Sequence, residues 1–122
     1  MAQRHNYRNL KVWQHGLDMV ERVYDFTCTL PNDEKYGLIS QIKRCAVSIP
    51  SNIAEGSGRG TDKEFGRFVG IAIGSCCELE TQLIICRRLR LGESLDLDSL
   101  IEMATESQRM LMSFQNHLLR RQ

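Results

Sequence analysis

Hydrophobic residues recur along the chain at alternating three- and four-residue steps, in three long stretches and a fourth interrupted by Pro50. This spacing places apolar side chains on one stripe of an α-helix and favours packing of that stripe against other helices. The clearest stripe consists of Phe65, Phe68, Ala72, Ser75, Leu79, Gln82, Cys86 and Leu89. No stretch shows the strict alternation of a half-buried β-strand. The pattern therefore predicts an all-α fold.

Start and stop signals divide the chain into four predicted helices. Pro31 ends the first, because proline cannot continue a helix. Thr61 and Glu64 form a capping box at the start of the third, and Gly92 is predicted to end it. Short connections predict antiparallel neighbours, in an up-down-up-down four-helix bundle with long helices. Within a single domain of residues 1–122, the predicted helices span 9–29, 33–56, 62–91 and 97–120.

The first predicted helix carries two neighbouring apolar stripes, wider together than the roughly 100° that a core-facing helix requires. One comprises Leu10, Trp13, Leu17, Val20 and Tyr24, and the other comprises Val12, Gly16, Met19, Val23, Phe26 and Leu30. Both can fill the core of one chain, or the surplus can pack against further copies, since an exposed apolar strip of this size marks an interface. The oligomer-interface candidates are Val12, Trp13, Met19, Val23 and Phe26.

Composition describes an ordinary small domain. The 122 residues are 42% hydrophobic and 25% charged, which is enough to bury a core. Five cysteines without a Cys-x-x-Cys pair favour a reducing, cytoplasmic location. No apolar run approaches the roughly 20 residues of a membrane span, so we expect no membrane association. A net charge of +1 gives no bulk attraction for nucleic acid, and any such binding must come from local clusters.

Basic residues do form local clusters. Those at the end of the third helix, Arg87, Arg88 and Arg90, can also complement the helix dipole, so a structural role is the alternative there. The acidic stretch from Glu93 to Glu106 indicates that a basic surface occupies only one end or face. The nucleic-acid-binding candidates are Arg8, Lys11, Lys43, Arg44, Arg59, Lys63, Arg87, Arg88 and Arg90.

Four polar residues accompany the apolar seams of the second and third helices: Asn52, Glu55, Glu78 and Gln82. Buried polar groups persist when they are hydrogen-bonded, so these predict a structural polar network, with a metal or acid–base site as the alternative. A di-iron bundle requires two Glu-x-x-His motifs, and the chain has none. No serine or cysteine has an identifiable paired base. We therefore expect no catalytic site, no metal and no cofactor.

Four motifs carry a family resemblance over nearly the whole chain, from about Asn9 to the end. They are Leu30-Pro31-x-x-Glu34-x-Tyr36-Gly37-Leu38, Gln41-Ile42-x-Arg44-x-Ala46-x-Ser48-Ile49-Pro50-x-Asn52-Ile53-Ala54-Glu55-Gly56, Glu64-Phe65-x-Arg67-Phe68, and Gly74-Ser75-x-x-Glu78-Leu79-Glu80-Thr81-Gln82-Leu83. With these motifs the chain resembles the four-helix-bundle family of 23S rRNA intervening-sequence proteins. That family is named for reading frames within insertions in bacterial large-subunit rRNA genes.

The family also includes the accessory variability determinant of diversity-generating retroelements, a homopentameric barrel that binds nucleic acid and a reverse transcriptase. The resemblance therefore implies a bacterial homopentamer with a central channel. Together with the basic clusters, it predicts a non-enzymatic scaffold that binds RNA or DNA through rings of basic residues. The alternative is a protein-interaction scaffold for a partner enzyme, without physiological nucleic-acid binding.

Overall fold

The computed structural model describes residues 6–92 and 94–121, and these residues form four long helices. The helices are α1 (Lys11–Thr27), α2 (Ser40–Ser57), α3 (Asp62–Arg88) and α4 (Ser94–Arg120). Short 3₁₀ turns at Tyr7–Asn9 and Asn32–Glu34 and a π-helical turn at Lys35–Ile39 precede α1 and α2. Neither described range contains a strand. The predicted all-α fold is confirmed.

The helices pack in a closed cycle, in which α1 and α3 each contact both α2 and α4. Neighbours run in opposite directions. Gly16 in α1 lies against Pro50 in α2. Tyr24, two turns later in α1, lies beneath Lys43, two turns earlier in α2. The α2–α3 and α3–α4 seams show the same reversal, since Ser48 bonds to Ser75 while Gly56 lies against Phe65, and Thr105 bonds to Glu80 while Gln115 bonds to Gly66. At the α1–α4 seam, Arg22 bonds to Ser99 while Lys11 and Arg120 line one depression, so the fold is an antiparallel four-helix bundle.

The second helix begins later than predicted. Regular α2 starts at Ser40 rather than near residue 33, because the 3₁₀ and π-helical turns occupy the intervening segment. Gly37 lies in that segment, and glycine is about 1 kcal/mol less favourable than alanine inside a helix. No side chain caps the start of α2 at Ile39. Hydrophobic periodicity alone could not distinguish the tighter 3₁₀ turn and the wider π-helical turn from a continuous α-helix.

The start of the third helix agrees with the capping prediction in one half only. The Thr61 hydroxyl accepts a hydrogen bond from the Glu64 backbone N–H at 3.1 Å, as predicted. The Glu64 carboxylate does not complete the box, because both of its oxygens accept hydrogen bonds from the Arg67 side chain.

The third helix ends at Arg88, before the predicted position. Arg90 adopts a left-handed backbone conformation with φ of 58°. The Leu91 N–H donates to the Cys86 carbonyl at 2.9 Å, and the Arg90 N–H donates to the carbonyl three residues earlier at 3.1 Å. These two bonds form a Schellman motif, in which Arg90 occupies the position usually taken by glycine. Gly92 therefore shapes the following turn and does not itself end the helix.

The core encloses one of the two stripes of α1. Val12 is 6% exposed, Met19 and Val23 are 0% exposed, and Phe26 is 1% exposed. The chain's own helices cover these four side chains, so they have no surface to offer another copy. Their assignment as oligomer-interface candidates is therefore wrong. Trp13 belongs to the other stripe and is only partly buried.

That other stripe lies at the surface. Leu17 and Tyr24 are 39% and 42% exposed, and Val47 of α2 is 40% exposed. Tyr7 packs edge-on against Trp13, with ring centroids 5.3 Å apart. Tyr7, Trp13, Leu17 and Val47 help to line a shallow depression of about 310 Å³. We call the surface formed by Trp13, Leu17, Tyr24 and Val47 the α1–α2 apolar face.

Helix α3 is long and apolar enough to cross a membrane when only length and composition are considered, with a mean hydropathy of 1.5 over 18 residues. The core helix of a bundle passes the same test, so this is weak evidence for a membrane span. In this bundle α3 contributes the fully buried Val69, Leu79 and Leu83 to the core. The absence of membrane association stays a prediction.

Candidate nucleic-acid interface

The nine basic candidates separate to the two ends of the bundle. The antiparallel order brings residues 6–11, 55–67 and 116–121 together, and we call this the basic end. It holds Arg8, Lys11, Arg59 and Lys63. The opposite end, residues 22–44 and 85–102, holds Lys43, Arg44, Arg87, Arg88 and Arg90. Because the 27 residues of α3 span about 40 Å, the nine residues do not form one site.

The two ends differ in net charge. The basic end contains seven arginines and lysines and three carboxylates, for a net charge of +4. The described side chains of the opposite end include six of each, for a net charge of zero. Three cations of the basic end were not among the predicted candidates: Arg67, Arg120 and Arg121. Counting the charged residues at each end of the bundle, rather than along each segment of the sequence, would have identified them. The basic end is the better candidate for binding a polyanion.

Each of the three carboxylates of the basic end forms an ion pair with an arginine. The pairs are Arg59 with Glu55 at 2.9 Å, Arg67 with Glu64 at 3.2 Å and Arg121 with Asp62 at 3.1 Å. The hydrogen bond from Arg67 is the main cause that lowers the pKa of Glu64. Within the described ranges, no carboxylate lies at ion-pair distance from the other four cations of this end: Arg8, Lys11, Lys63 and Arg120.

Two of the arginines are also positioned by an aromatic ring. The guanidinium carbons of Arg59 and Arg67 lie 4.8 and 5.0 Å from the centroid of the buried Phe68 ring. Such cation–π contacts favour defined positions for both side chains. The two side chains nevertheless keep 47% and 60% of their surface exposed, so they can still donate to an anion.

At the opposite end, several of the candidate cations have contacts within the chain. Arg87 pairs with Asp98 at 3.6 Å. The Lys43 Nζ lies 4.7 Å from the centroid of the Tyr24 ring. Arg87 and Arg88 occupy the last turn of α3, where they complement the helix dipole. These placements favour a structural role, rather than nucleic-acid binding, for the basic residues of the opposite end.

The four polar candidates do not form one network. The Asn52 amide donates to the Ser48 carbonyl in its own helix at 2.7 Å. The Gln82 amide donates to Glu78, also in its own helix, over a long 3.5 Å, and the buried Gln82 Oε1 has no partner among the described residues. Glu55 forms the ion pair described above. Only Glu78 and Gln82 bond to each other, so the prediction of one polar network among these four residues is wrong.

Smaller residues make the polar links between α2 and α3. The Ser48 hydroxyl donates to the Ser75 hydroxyl at 2.7 Å, and the Cys45 thiol donates to the Ser75 carbonyl at 3.0 Å. The sequence interpretation missed these links because it weighed amide and carboxylate side chains only. Ser48 and Ser75 both lie in the family motifs, which was the available signal.

The buried thiols are poorly suited to nucleophilic chemistry. Burial raises the pKa of Cys45 to about 12 and those of Cys76 and Cys86 to about 11. These groups are therefore protonated at neutral pH, whereas a nucleophilic cysteine needs its thiolate. Across residues 6–92 and 94–121, no three His, Cys, Asp or Glu side chains are grouped so that they could hold a metal ion. The expectation of no catalytic or metal site stays a prediction.

Comparisons with known proteins agree with the sequence resemblance. The family model described as 23S rRNA-intervening sequence protein matches residues 8–113. A crystal structure at 1.70 Å shows a similar fold for a protein of unknown function from the S23 ribosomal protein family of Bacteroides thetaiotaomicron VPI-5482. That similarity has a TM-score of 0.78 at 25% identity and covers 84% of this chain and 96% of that chain. No curated protein matches. The chain therefore belongs to the 23S rRNA-intervening sequence protein family.

Proposed function

We propose that this protein is a non-enzymatic, homo-oligomeric helical scaffold that binds RNA or DNA through its basic end. The observation that carries this proposal is the net charge of +4 at that end, beside a neutral opposite end. Arg8, Lys11, Lys63 and Arg120 have no carboxylate partner among the described residues and are available to phosphates. Each phosphate that they neutralise releases counterions, which favours binding at low salt.

The proposed assembly is a homopentamer, as the family resemblance implies. The α1–α2 apolar face offers one interface, and the exposed Ile71 and Ile85 of α3, with Leu89 directly after that helix, offer a different one. Two different surfaces suit the head-to-tail contacts from which closed rings are built. Cyclic symmetry places the basic ends of all copies on the same side of a ring. Phosphate contacts that are weak in one chain would then add along a polynucleotide.

The test compares two double variants that each remove two positive charges. Arg8→Gln with Lys63→Gln alters the basic end, and Lys43→Gln with Arg88→Gln alters the opposite end. Fluorescence anisotropy with a labelled RNA, between about 50 and 200 mM salt, measures affinity and its salt dependence. We expect the first variant to bind about tenfold more weakly with a shallower salt slope, and the second to stay within about twofold.

Two outcomes would contradict the proposal. Equal losses in both variants would remove the preference for the basic end. Failure of the unmodified protein to bind RNA or DNA, or binding that is indifferent to salt, would rule out phosphate recognition altogether. Matching thermal unfolding curves for the variants and the unmodified protein control for folding.

The alternative function is a protein-interaction scaffold for a partner enzyme, with no physiological nucleic-acid binding. The exposed apolar side chains of Met112 and Leu119 on α4 favour this alternative, since such residues pack well against a second protein. A partner enzyme that remains bound after nuclease treatment, together with no direct binding of RNA or DNA by the pure protein, would support the alternative.

We also propose a cytoplasmic location. All five cysteines are free, and two of them, Cys28 and Cys77, are exposed. Exposed thiols persist in reducing compartments and tend to become oxidised outside them. Cell fractionation followed by immunoblotting would test this location.

A further inference from the structure

A groove runs along the side of the bundle between α1 and α4. It consists of two open depressions of about 590 and 600 Å³. Glu106 and Arg109 line both depressions, so the two are neighbours along this side of the bundle, and we refer to them together as the groove. Arg22 of α1 donates to the Ser99 hydroxyl of α4 at 2.8 Å in the half nearer the opposite end. We call the half that reaches the basic end the basic half of the groove.

The basic half carries a surplus of positive charge. Its lining includes Lys11, Arg109 and Arg120, and Glu106 is its one lining carboxylate. Arg109 hydrogen-bonds to Glu106, and this bond is the main cause that lowers the pKa of the carboxyl group. Lys11 has no carboxylate partner among the described residues, and Arg120 donates to a backbone carbonyl of its own helix at 3.3 Å. Two cationic groups are thus available after the internal pair is formed.

The same half has an apolar floor. Val12 of α1 is buried there, and the partly buried Met110 and Phe114 of α4 line it. Phe114 packs edge-on against Phe65 with ring centroids 5.3 Å apart, which favours a fixed position for its ring. The groove therefore combines cationic groups with an apolar and aromatic surface.

A buried polar atom beside the groove lacks a partner. The Nδ1 of His15, one turn after Lys11 in α1, is buried without a hydrogen-bond partner among the described residues. Buried polar atoms are usually hydrogen-bonded, so this nitrogen is a polar group that the described contacts of the chain leave unsatisfied.

We propose that the basic half of this groove binds the sugar-phosphate backbone of single-stranded nucleic acid. This inference rests on the proposed function and names the form of nucleic acid that is bound. A single strand can turn an unstacked base toward the apolar floor formed by Met110 and Phe114 while its phosphates meet Lys11 and Arg120. An RNA duplex keeps its bases stacked and paired inside the helix, so it can offer phosphates to the cations but no free base to the apolar floor. Single-strand binding sites elsewhere combine cationic grooves with surfaces on which bases pack.

The first test uses a labelled single-stranded RNA and an RNA duplex of the same length. The groove variant is Lys11→Gln with Arg120→Gln. Its matched control is Arg8→Gln with Lys63→Gln. The control also removes two positive charges from the basic end, but from positions outside the groove. We expect the groove variant to lose about tenfold in affinity for the single strand and less than about twofold for the duplex. The control should weaken binding of both forms by similar factors.

A second pair of variants tests the groove without removing a cation. Ser113 lines the basic half on α4. Ser113→Glu places a negative charge there, whereas Ser113→Gln adds a similar volume without charge. We expect Ser113→Glu to weaken single-strand binding by about tenfold and Ser113→Gln to change it by less than about threefold. Equal effects of the two substitutions would overturn charge recognition at this position.

The outcomes separate this inference from the proposed function. If the unmodified protein binds both forms and the groove variant loses equally on both or on neither, the groove assignment is overturned and the proposed function stands. If the unmodified protein binds neither form at any salt concentration, both are overturned. Thermal unfolding of each variant shows whether a loss of affinity reflects misfolding. If the groove variant misfolds, fluorescence anisotropy with Ser113→Glu and Ser113→Gln tests the groove instead.

Discussion

At the scale of single residues, the turn between α3 and α4 depends on Gly92. Its φ is +76°, and a Cβ at this position would lie 2.6 Å from Cε1 of Phe26. Gly92→Ala should therefore lower the free energy of unfolding by about 2–4 kcal/mol, through backbone strain and steric overlap together. Gly60→Ala is the control, because Gly60 has a φ of +94° and open space around it. Equal losses in urea unfolding would show that the Phe26 contact contributes nothing.

Arg90 occupies a backbone conformation that suits glycine better. Its φ of 58° in the Schellman motif costs an L-residue about 1–2 kcal/mol relative to glycine. We expect Arg90→Gly to raise the free energy of unfolding by about 1 kcal/mol. Because Arg90 lies at the neutral end, RNA affinity should stay unchanged. A large loss of affinity in this stabilised variant would instead assign nucleic-acid binding to the opposite end.

The cysteines fall into two classes of reactivity. Cys28 and Cys77 are exposed, whereas burial raises the pKa of Cys45, Cys76 and Cys86 to about 11–12 from the usual 9.0. A thiol reagent at neutral to mildly alkaline pH should therefore modify two cysteines quickly and three only after unfolding. Above pH 9.0 the unfolded thiols lose protons that the folded ones keep, so stability should fall as pH rises. Rapid modification of all five cysteines in the folded protein would contradict the burial of Cys45, Cys76 and Cys86.

At the scale of elements, the α2–α3 packing depends on a close approach at Gly56. A Cβ there would lie 2.6 Å from the Cβ of Phe68 and 2.9 Å from Cδ1 of Phe65. Gly56→Ala should lower the free energy of unfolding by about 2–3 kcal/mol, because these buried neighbours cannot move freely. A Cβ at Gly74 in α3 would have nothing within 4 Å, so Gly74→Ala should raise the free energy of unfolding by about 0.5–1 kcal/mol. Urea unfolding that gave both substitutions the same sign would contradict this packing.

The helices themselves were predictable because apolar residues recur at helical spacing over many turns, with an interruption only at Pro50 of the second helix. In the fourth helix, for example, Leu97, Leu100, Ala104, Ser107, Leu111, Phe114 and Leu118 follow helical spacing, and all are buried except Phe114, which is partly buried. The two stripes of α1 were ambiguous, since both obey helical periodicity. Which one faces the core depends on where α4 lies, and that is a tertiary property. Similarly, Arg90 could end α3 only because the Schellman hydrogen bonds compensate its backbone strain.

At the scale of the whole molecule, the residue types of the candidate site were predictable but their grouping was not. Sequence neighbours such as Lys43 and Arg44 stay together, whereas Lys11 and Arg120 share one groove although they lie at opposite ends of the chain. The antiparallel order of four helices creates that proximity. Basic clusters in the sequence therefore gave nine candidates. The net charge of each bundle end selects the four candidates that lie at the basic end.

Assembly is the property of the whole molecule on which the ring of basic ends depends. Each chain has a mass of 14.0 kDa, so light scattering of a pentamer should give about five times that value. Leu17→Glu with Val47→Glu places two charges on the α1–α2 apolar face. Both side chains are about 40% exposed within the chain, so the bundle should remain folded while the assembly dissociates.

The control is Met112→Glu, a single apolar-to-acidic change at an exposed position of α4, away from the α1–α2 apolar face. We expect this control to keep the mass of the unmodified protein, whereas the Leu17 and Val47 variant should scatter as a single 14.0 kDa chain with unchanged helical content. Because linked sites bind a polymer more tightly than separate ones, dissociation should also weaken RNA binding about a hundredfold. An unmodified protein that scatters as a single chain would contradict the assembly, and the basic end of each chain would then act alone.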